Sequence, residues 1–411
     1  MKVSRRTVAC RYTLLHTEPK CMSRIVTHAS STYPPDSSVC TGSHLSLLAD
    51  LPLLRSFAVE WYSVNANRMK KSQMAGAGIA LTRVAGLRPV VAFLDHRGAR
   101  VERLLQRVKI SPDALRDAEA LIPTSQGFRF MEESARVEGI ENLGLLVGQE
   151  TRLEQFGVYG SLIRRKRTLG EAIATVFQLL PFFSSGSQMW MEDRGDRAVF
   201  CQRFADGLGD HRQADQYSLM VMINLLRLAA GPTWHPDEVH LRMPRGARFD
   251  RFPPLASCVV RFEQPANTVV FPRSLLDRPL APATGPPVLK PETLEAWTSS
   301  APAPDFPGSL LQVADALPPL GYPQIGAAAG AVGMSVRSLQ RRLAESGVTF
   351  KGIMADERFA AAAALLRGGY AKILDIALDL GYSDHAHFTR AFHRWAGTAP
   401  REFRRLARQS A

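Results

Sequence analysis

The sequence predicts a multidomain protein in which an α+β region is followed by an all-α region with two helix-turn-helix units. Three observations lead to this fold class. Between about residues 76 and 280, helical and strand-like periodicities are mixed rather than regularly alternating. Eight prolines then fall within residues 279–308, and helical periodicity continues almost to the end of the 411-residue chain. A chain of this length has room for two or three domains.

The domain boundaries follow from these changes in pattern. Residues 1–68 are rich in Ser and Thr and show no sustained periodicity, so we expect a disordered extension there. Residues 69–280 form the predicted α+β domain, and residues 309–411 form the predicted double helix-turn-helix domain. Because proline at high density interrupts both helices and sheets, residues 281–308 are predicted to be a semi-rigid linker.

Within the α+β segment, individual elements follow from periodicity and turn residues. Two helices are predicted at Gln126–Gly139 and Thr168–Leu180, and a longer helix at Asp210–Ala230 is ended by a Gly-Pro pair. Strands are predicted in a hairpin and in three segments after the long helix: Gln188–Glu192, Arg197–Phe204, Glu238–Arg242, Cys258–Glu263 and Asn267–Phe271. Helices followed by strands around one long helix favour α+β over a parallel alternating fold.

The charge of the chain points to a polyanionic partner. Its formal net charge is +13 at pH 7. Residues 309–411 contain 13 Lys and Arg against 8 Asp and Glu, whereas residues 69–308 contain 30 against 26 in more than twice the length. Per residue, the positive excess of the helix-turn-helix segment is therefore about three times that of residues 69–308, which favours nucleic acid as the partner.

Composition and motifs argue against several other classes of protein. The apolar fraction of 45% and the charged fraction of 22% are those of a globular protein. The sequence has no apolar run of about 18 residues, and its five cysteines lack CxxC spacing. It also has no phosphate-loop, dinucleotide-binding, serine-hydrolase or zinc-protease motif. We therefore expect a cytoplasmic protein that is not an enzyme, needs no cofactor or metal, and does not bind a membrane.

Two segments in the last 90 residues share one pattern. Each has an alanine, a glycine four residues later, a short polar residue after it, and then two apolar residues four positions apart. The positions are Ala329, Gly333, Ser335, Leu339 and Leu343 in the first segment, and Ala377, Gly381, Asp384, Phe388 and Phe392 in the second. A single match of this kind is weak, but two in series within the most basic part of the chain are a specific signal.

A helix-turn-helix requires these residue types. The small alanine lets two helices cross closely, and the glycine permits the left-handed conformation that ends the first helix. The short polar side chain accepts a free amide hydrogen at the start of the second helix, and the apolar pair holds that helix against the core. Between the two units, Thr349–Leu366 predicts a helix about 25 Å long. Such a helix would place the two second helices roughly one turn of DNA (~34 Å) apart.

The C-terminal residues closely resemble the DNA-binding domain of the AraC/XylS (arabinose-regulator) family of bacterial transcription factors. The resemblance rests on Gly333–Leu343, Ile376–Phe392 and Trp395–Arg401. Residues from about 76 to 280 resemble the ligand-sensing domain of one branch of this family, and not the sugar-binding β-barrel of the arabinose regulator. That second resemblance rests on Gly76–Leu81, Thr168–Glu171 and Phe262–Pro272.

The resemblance implies a function and a set of partners. The 69–280 domain would sense a small-molecule effector and dimerise, and the protein would bind double-stranded promoter DNA and contact RNA polymerase as a homodimer. By position, Arg337, Gln340 and Arg341 would read bases in the first unit, because Arg pairs with guanine and Gln with adenine. The equivalent positions of the second unit hold Ala386, Thr389 and Arg390, which are poorer hydrogen-bonding groups. His385 or His387 could compensate for them, so the candidates in this unit are His385, His387, Thr389 and Arg390.

Other basic residues have more than one interpretation. Arg404, Arg405 and Arg408 fit either a phosphate contact or a solvated helix face. The densest basic run, residues 164–167, lies outside the helix-turn-helix segment, and we favour a solvated loop over an auxiliary nucleic-acid contact. The histidines of the second unit do not suggest a metal site, because residues two apart on a helix point in different directions.

The sensing segment yields no predicted ligand-binding residue. Phe182, Phe183, Trp190 and Met191 fit either a ligand pocket or the core, and we favour the core. The long Asp210–Ala230 helix fits either the core or a dimer interface equally well.

The sequence therefore predicts an effector-controlled transcriptional regulator, an activator by resemblance. The alternative is an architectural DNA-binding protein that does not switch and whose middle domain only dimerises. High specificity over competitor DNA and an effector-dependent shift in DNA binding distinguish the regulator from this alternative.

Overall fold

The computed structural model describes residues 78–245, 252, 255–282, 290–317, 324–368 and 372–409. These residues belong to two compact units, one within Ala75–Phe350 and the other within Lys351–Ala411. The extension predicted for residues 1–68, and part of the predicted linker, lie outside the described residues.

The larger unit combines helices with two β-sheets. Its elements are β1 (Leu81–Arg83), α1 (Arg88–His96), α2 (Val101–Arg107), β2 (Leu121–Pro123), α3 (Thr124–Glu138), α4 (Leu143–Glu150), α5 (Gly157–Arg164), α6 (Leu169–Phe183), β3 (Ser187–Arg194), β4 (Arg197–Phe204), α7 (Arg212–Ala230), β5 (Glu238–His240), β6 (Val259–Arg261), β7 (Asn267–Pro272), α8 (Pro291–Ser299), α9 (Phe306–Asp315), α10 (Ile325–Ala331) and α11 (Val336–Glu345). The remaining elements in the described residues are helices: α12 (Phe350–Arg367), α13 (Ile373–Asp379), α14 (His385–Ala396) and α15 (Pro400–Gln409). The predicted fold class, α+β followed by all-α, is confirmed.

The main sheet has five strands in the order β3-β4-β7-β5-β6. All neighbouring pairs are antiparallel except β5 and β6, which are parallel. Alternate residues of β4 lie on opposite faces of the sheet. On one face, Phe200 packs in the main core, with its ring centroid 5.7 Å from that of Phe177 on α6. Val199 and Cys201 belong to a separate small cluster. Strand β4 is therefore buried on both sides, as its apolar sequence requires.

Helix α7 forms the centre of the core. Leu219, Ile223 and Leu226 are fully buried within the single chain, so this face is core and not a dimer interface. Helix α4 approaches α7 closely through two glycines four residues apart. A Cβ at Gly148 would lie 2.5 Å from the Met220 Cβ, and one at Gly144 would meet the backbone of α7. Only glycine permits this close packing.

Part of the predicted proline-rich linker is folded. Residues Pro291–Ser299 form α8, because proline is tolerated in the first turn of a helix, where its missing N–H has no intrahelical partner. The Trp297 side chain is only 2% exposed, and its ring stacks on Phe182 with the centroids 5.6 Å apart. The end of the linker segment is therefore packed against the helices and strands that precede it.

A buried arginine joins α8 to β1. The guanidinium of Arg83 donates to the carbonyl oxygens of Phe182 (2.8 Å), Trp297 (2.6 Å) and Glu119 (2.7 Å). Burial lowers the pKa of Arg83 to about 10, although the nearby Glu119 carboxylate partly opposes this effect. The side chain therefore remains charged at neutral pH and satisfies several backbone carbonyls at once.

The larger unit extends past the predicted boundary at residue 309 and includes the first helix-turn-helix. Strands β1 and β2 pair in an antiparallel two-stranded sheet, which we call the β1–β2 ribbon. Leu81 and Leu121 of this ribbon form one apolar cluster with Val313 of α9 and Ala331 of α10. The periodicity of the sequence could not reveal this packing, because the partners are about 200 residues apart.

In the basic run at residues 164–167, Arg165 and Arg167 are exposed, as expected for a solvated loop, but the expectation was wrong for Arg164. Arg164 is only 6% exposed and donates to the Glu154 carboxylate at 2.8 Å. It also donates to the carbonyl oxygens of Ala281 (3.0 Å) and Pro282 (2.9 Å). Arg164 thus holds in place the segment at Ala281 and Pro282, which follows the last strand of the sheet. Within the described part of the chain, no helix is long and apolar enough to cross a membrane.

Candidate nucleic-acid interface

The two helix-turn-helix units have the same backbone turn. Gly333 and Gly381 adopt left-handed conformations, with φ of +70° and +76°. The amide after each glycine donates to the carbonyl of the crossing alanine at 2.9 Å, from Met334 to Ala329 and from Tyr382 to Ala377. This bond closes the first helix of each unit in the same way.

The second helix of each unit begins with a side-chain cap. Ser335 Oγ accepts a hydrogen bond from the Ser338 amide at 3.1 Å. Asp384 Oδ1 accepts one from the His387 amide at 2.7 Å, and this bond lowers the pKa of the Asp384 carboxyl. Because the second unit has one more residue between its glycine and its apolar pair, its cap comes one position later relative to the glycine.

Apolar side chains fix the inner face of each second helix. Leu339 and Leu343 of α11 are fully buried, as are Phe388 and Phe392 of α14. In the smaller unit the rings of Phe388 and Phe392 lie 5.8 Å apart, and Phe392 also contacts Phe403 of α15 at 5.3 Å. With its inner face fixed, each helix presents a defined outer face.

The outer face of α11 carries the three predicted base-reading residues. Arg337, Gln340 and Arg341 are all exposed. The Arg341 side chain is 76% exposed, and its Nε lies 3.8 Å from Glu345 Oε1. An exposed ion pair of this length is weak, so it can be exchanged for a contact with DNA.

The outer face of α14 offers fewer hydrogen-bonding groups. The Thr389 hydroxyl donates to the His385 carbonyl at 2.8 Å, so its donor is already used within the helix. The His387 ring lies against the cap, with Nδ1 3.2 Å from Ser383 Oγ and 3.4 Å from Asp384 Oδ2. His385 and Arg390 are exposed. Of the candidates in this unit, Arg390 is therefore the one best able to reach a base edge.

Helix α15 supplies the remaining basic residues. Arg405 pairs with Glu402, with Nη2 and Oε1 2.6 Å apart, whereas Arg404 is half-buried and Arg408 is exposed. Whether these side chains contact phosphate remains a prediction.

One basic residue near the first unit was missed by the sequence analysis. The exposed Lys109 follows α2, and its Nζ would lie 3.1 Å from a Cβ placed on Gly330 of α10. It therefore adds positive charge beside the first helix-turn-helix. No local signal could identify it, because the two residues are more than 200 positions apart.

Two helix-turn-helix units of the same geometry, with outward-facing arginines, define a class of DNA-binding transcriptional regulators. Comparisons with known proteins agree with this class. Residues 98–280 match the arabinose-binding N-terminal domain of the AraC transcription regulator, and residues 328–406 match a helix-turn-helix domain. The chain belongs to the AraC family: it has an N-terminal ligand-binding domain followed by the helix-turn-helix units.

Several relatives are similar over most of their length. The ornithine utilization regulator of Pseudomonas aeruginosa is 24% identical over 328 residues, which cover 79% of this chain and 96% of that protein. The regulator VirS of Mycobacterium tuberculosis is 24% identical over 336 residues, with the same coverage of 79% and 96%. The crystal structure of the regulator CdpR from P. aeruginosa aligns with 77% of this chain and 97% of that chain, at 20% identity and a TM-score of 0.34.

Proposed function

We propose that this protein activates transcription from promoters that it recognises through both helix-turn-helix units, under the control of a small-molecule effector. In this proposal the protein acts in the cytoplasm as a homodimer and contacts RNA polymerase. The family membership supports these last points, and the DNA-binding part of the proposal rests on the site itself.

The observation that carries the proposal is the outer face of α11. Arg337, Gln340 and Arg341 are exposed together on a helix whose other face is fixed by Leu339 and Leu343. Arg and Gln are the side chains that pair in two-bond geometry with guanine and adenine in the major groove. A rigid helix that presents them together favours sequence-specific recognition over uniform attraction to phosphate.

Effector control is supported by the position of the first helix-turn-helix. Helices α9, α10 and α11 belong to the same compact unit as the ligand-binding domain, and α9 and α10 pack on its β1–β2 ribbon. A ligand that favours one conformation of that domain would therefore change the position or mobility of α10 and α11.

The test replaces Arg337 and Arg341 together by alanine in the native chromosomal copy. Chromatin occupancy and transcript levels are then measured across the genome. We expect the protein to leave its promoters and the adjacent transcripts to fall, because the base contacts of the first unit are lost. A matched variant with Ala at Arg103 and Arg116, two exposed arginines of the larger unit, should keep normal occupancy.

Other outcomes would contradict the proposal. A rise in the adjacent transcripts would indicate repression rather than activation. Unchanged occupancy would show that α11 does not read DNA. Occupancy spread evenly over the genome, without promoter preference, would favour the architectural alternative.

A further inference from the structure

The larger unit contains a partly open cavity of about 150 Å³. Helices α3, α5, α6 and α7 surround it together with strands β1 to β4, and its wall is mainly apolar, with several aromatic rings. Among the lining residues are Phe128, Phe156, Tyr159, Phe183, Phe204 and Tyr217. Of the four large side chains considered in the sequence, Phe183 lines this cavity, whereas Phe182 packs on Trp297.

The wall of the cavity carries no charge. None of its lining residues is Asp, Glu, Lys, Arg or His in the part of the chain that the structure describes. Transfer of an ion or of a molecule with many hydroxyl groups into such a space is strongly unfavourable, because its polar groups would lose their water contacts. The cavity therefore does not suit a sugar or an amino acid, even though the matched domain is described as arabinose-binding.

One buried hydroxyl group is available in the apolar wall. Among the described residues, the Thr124 hydroxyl at the start of α3 has no hydrogen-bond partner, although the side chain is only 2% exposed. Thr124 lines the cavity. Because buried polar groups normally have partners, this hydroxyl is available to a ligand.

The size of the cavity limits the ligand. A cavity of about 150 Å³ with an apolar lining holds a molecule such as benzene. A ligand of roughly 6–10 non-hydrogen atoms therefore fits without rearrangement. Aromatic walls favour an aromatic guest, since rings pack well edge-to-face.

We propose that this cavity binds the effector, and that the effector is a small, neutral, mainly apolar molecule, best an aromatic ring with one hydrogen-bonding group directed at Thr124. This inference rests on the proposed function, because it names the ligand class of the regulator.

The β1–β2 ribbon connects the cavity with the first helix-turn-helix. Thr82 and Ile122 are direct cross-strand partners, and both line the cavity. Their neighbours Leu81 and Leu121 point to the opposite face, since side chains alternate along a strand, and pack against α9 and α10 in the apolar cluster. A ligand that presses on one face of this short ribbon moves side chains that support the DNA-binding helices.

The binding test uses the full chain with phenol and benzene as probes. D-glucose serves as a polar comparison and L-lysine as a charged one. Binding of each compound is measured by calorimetry and by thermal unfolding. We expect phenol and benzene to bind and to raise the unfolding temperature, and glucose and lysine to have no effect. Thr124→Val should weaken the binding of phenol about fivefold to tenfold and leave the binding of benzene unchanged, because only phenol can form a hydrogen bond with the Thr124 hydroxyl.

A second variant fills the cavity. Gly127 lines it, and a Cβ there would come no closer than 3.9 Å to the Ile122 side chain, so Gly127→Leu adds bulk without a backbone clash. It should abolish binding of both probes. The control is Val137→Leu on the exposed side of the same helix, which should bind as the unmodified chain does. Binding of phenol that survives Gly127→Leu, or equal binding of glucose, would overturn the proposal.

The effect of phenol on DNA binding is measured with a DNA sequence that has been selected by its binding to the full chain. Phenol should change the DNA affinity by at least threefold, and Leu121→Ala should remove this change while phenol still binds, which also shows that the variant is folded. If DNA binding is specific but neither probe binds, the cavity inference fails and the DNA-binding proposal stands. If specific DNA binding is absent, the proposed function itself fails.

Discussion

Arg341 is the side chain whose role can be tested most cleanly at the residue scale. Its guanidinium is exposed and held only by a weak pair with Glu345. We expect Arg341→Ala to weaken binding to the specific DNA site by about 1–3 kcal/mol and to relax specificity at one base pair. Fluorescence anisotropy with specific and scrambled duplexes measures both effects. An equal loss on the two duplexes would show that Arg341 contacts phosphate and reads no base.

His211 gives the larger unit a pH dependence. Its Nδ1 lies 2.9 Å from the buried Asp215 carboxylate, and this hydrogen bond raises the pKa of His211 despite partial burial. The protonated ring therefore stabilises the fold. This stabilisation is complete below the pKa of the unfolded state, about 6.5, and is lost as the pH rises through the raised pKa of the folded state. The stability difference between the native chain and His211→Asn should shrink as the pH rises above about 6.5. Thermal unfolding at several pH values measures this difference, and a constant difference would contradict the assignment.

The residue scale also shows what local sequence can and cannot predict. The caps at Ser335 and Asp384 and the left-handed glycines follow local rules, and the structure has these bonds and angles. The buried roles of Arg83 and Arg164 do not follow local rules, because their partners are carbonyl groups far away in the chain. An arginine between apolar residues, as in Leu-Thr-Arg-Val, is the only local hint of burial.

At the element scale, the packing of α11 against the core determines which of its residues are exposed. Leu339 is fully buried, so Leu339→Ala should destabilise the larger unit by about 2–5 kcal/mol through lost contacts and a cavity. Val336 lies on the same helix and is 38% exposed, so Val336→Ala should have a much smaller effect. Chemical unfolding monitored by tryptophan fluorescence measures both variants. Similar losses in the two would contradict the observed orientation of the helix.

The attachment of α8 to β1 by Arg83 is a second element-scale prediction. Arg83→Met should destabilise the larger unit by about 3–5 kcal/mol, because several buried carbonyls lose their donor. Arg116→Met is the matched control, since that side chain is exposed and, among the described residues, forms an ion pair with exposed Asp113. The same unfolding measurement applies. A small effect of Arg83→Met would mean that α8 is held by Trp297 alone.

Elements with strong periodicity were predictable, and short or distant ones were not. Strand β4 occupies the predicted residues, and the helices predicted from residues 126, 168 and 210 correspond to α3, α6 and α7. The three-residue strands β1 and β2 carry too few residues for a period-2 pattern, so they were missed. Helix α8 was hidden by the surrounding prolines, although Pro291 occupies a position that a helix accepts.

At the scale of the molecule, the first helix-turn-helix belongs to the same compact unit as the ligand-binding domain. The sequence predicted one DNA-binding domain after a linker, since composition changes there. Long-range packing between the β1–β2 ribbon and α10 has no sequence signature. The β1–β2 ribbon therefore lines the cavity with one face and packs against α9 and α10 with the other.

The central claim is that two helix-turn-helix units read DNA together. Selection from a random DNA pool by the full chain tests it most directly, with Arg341→Ala and Arg390→Ala selected in parallel. We predict that the selected sequences share two conserved blocks about 10 base pairs apart, centre to centre. Each variant should lose the base preference within one of these blocks. A pool without enrichment, or a single block that Arg390→Ala leaves intact, would contradict the account.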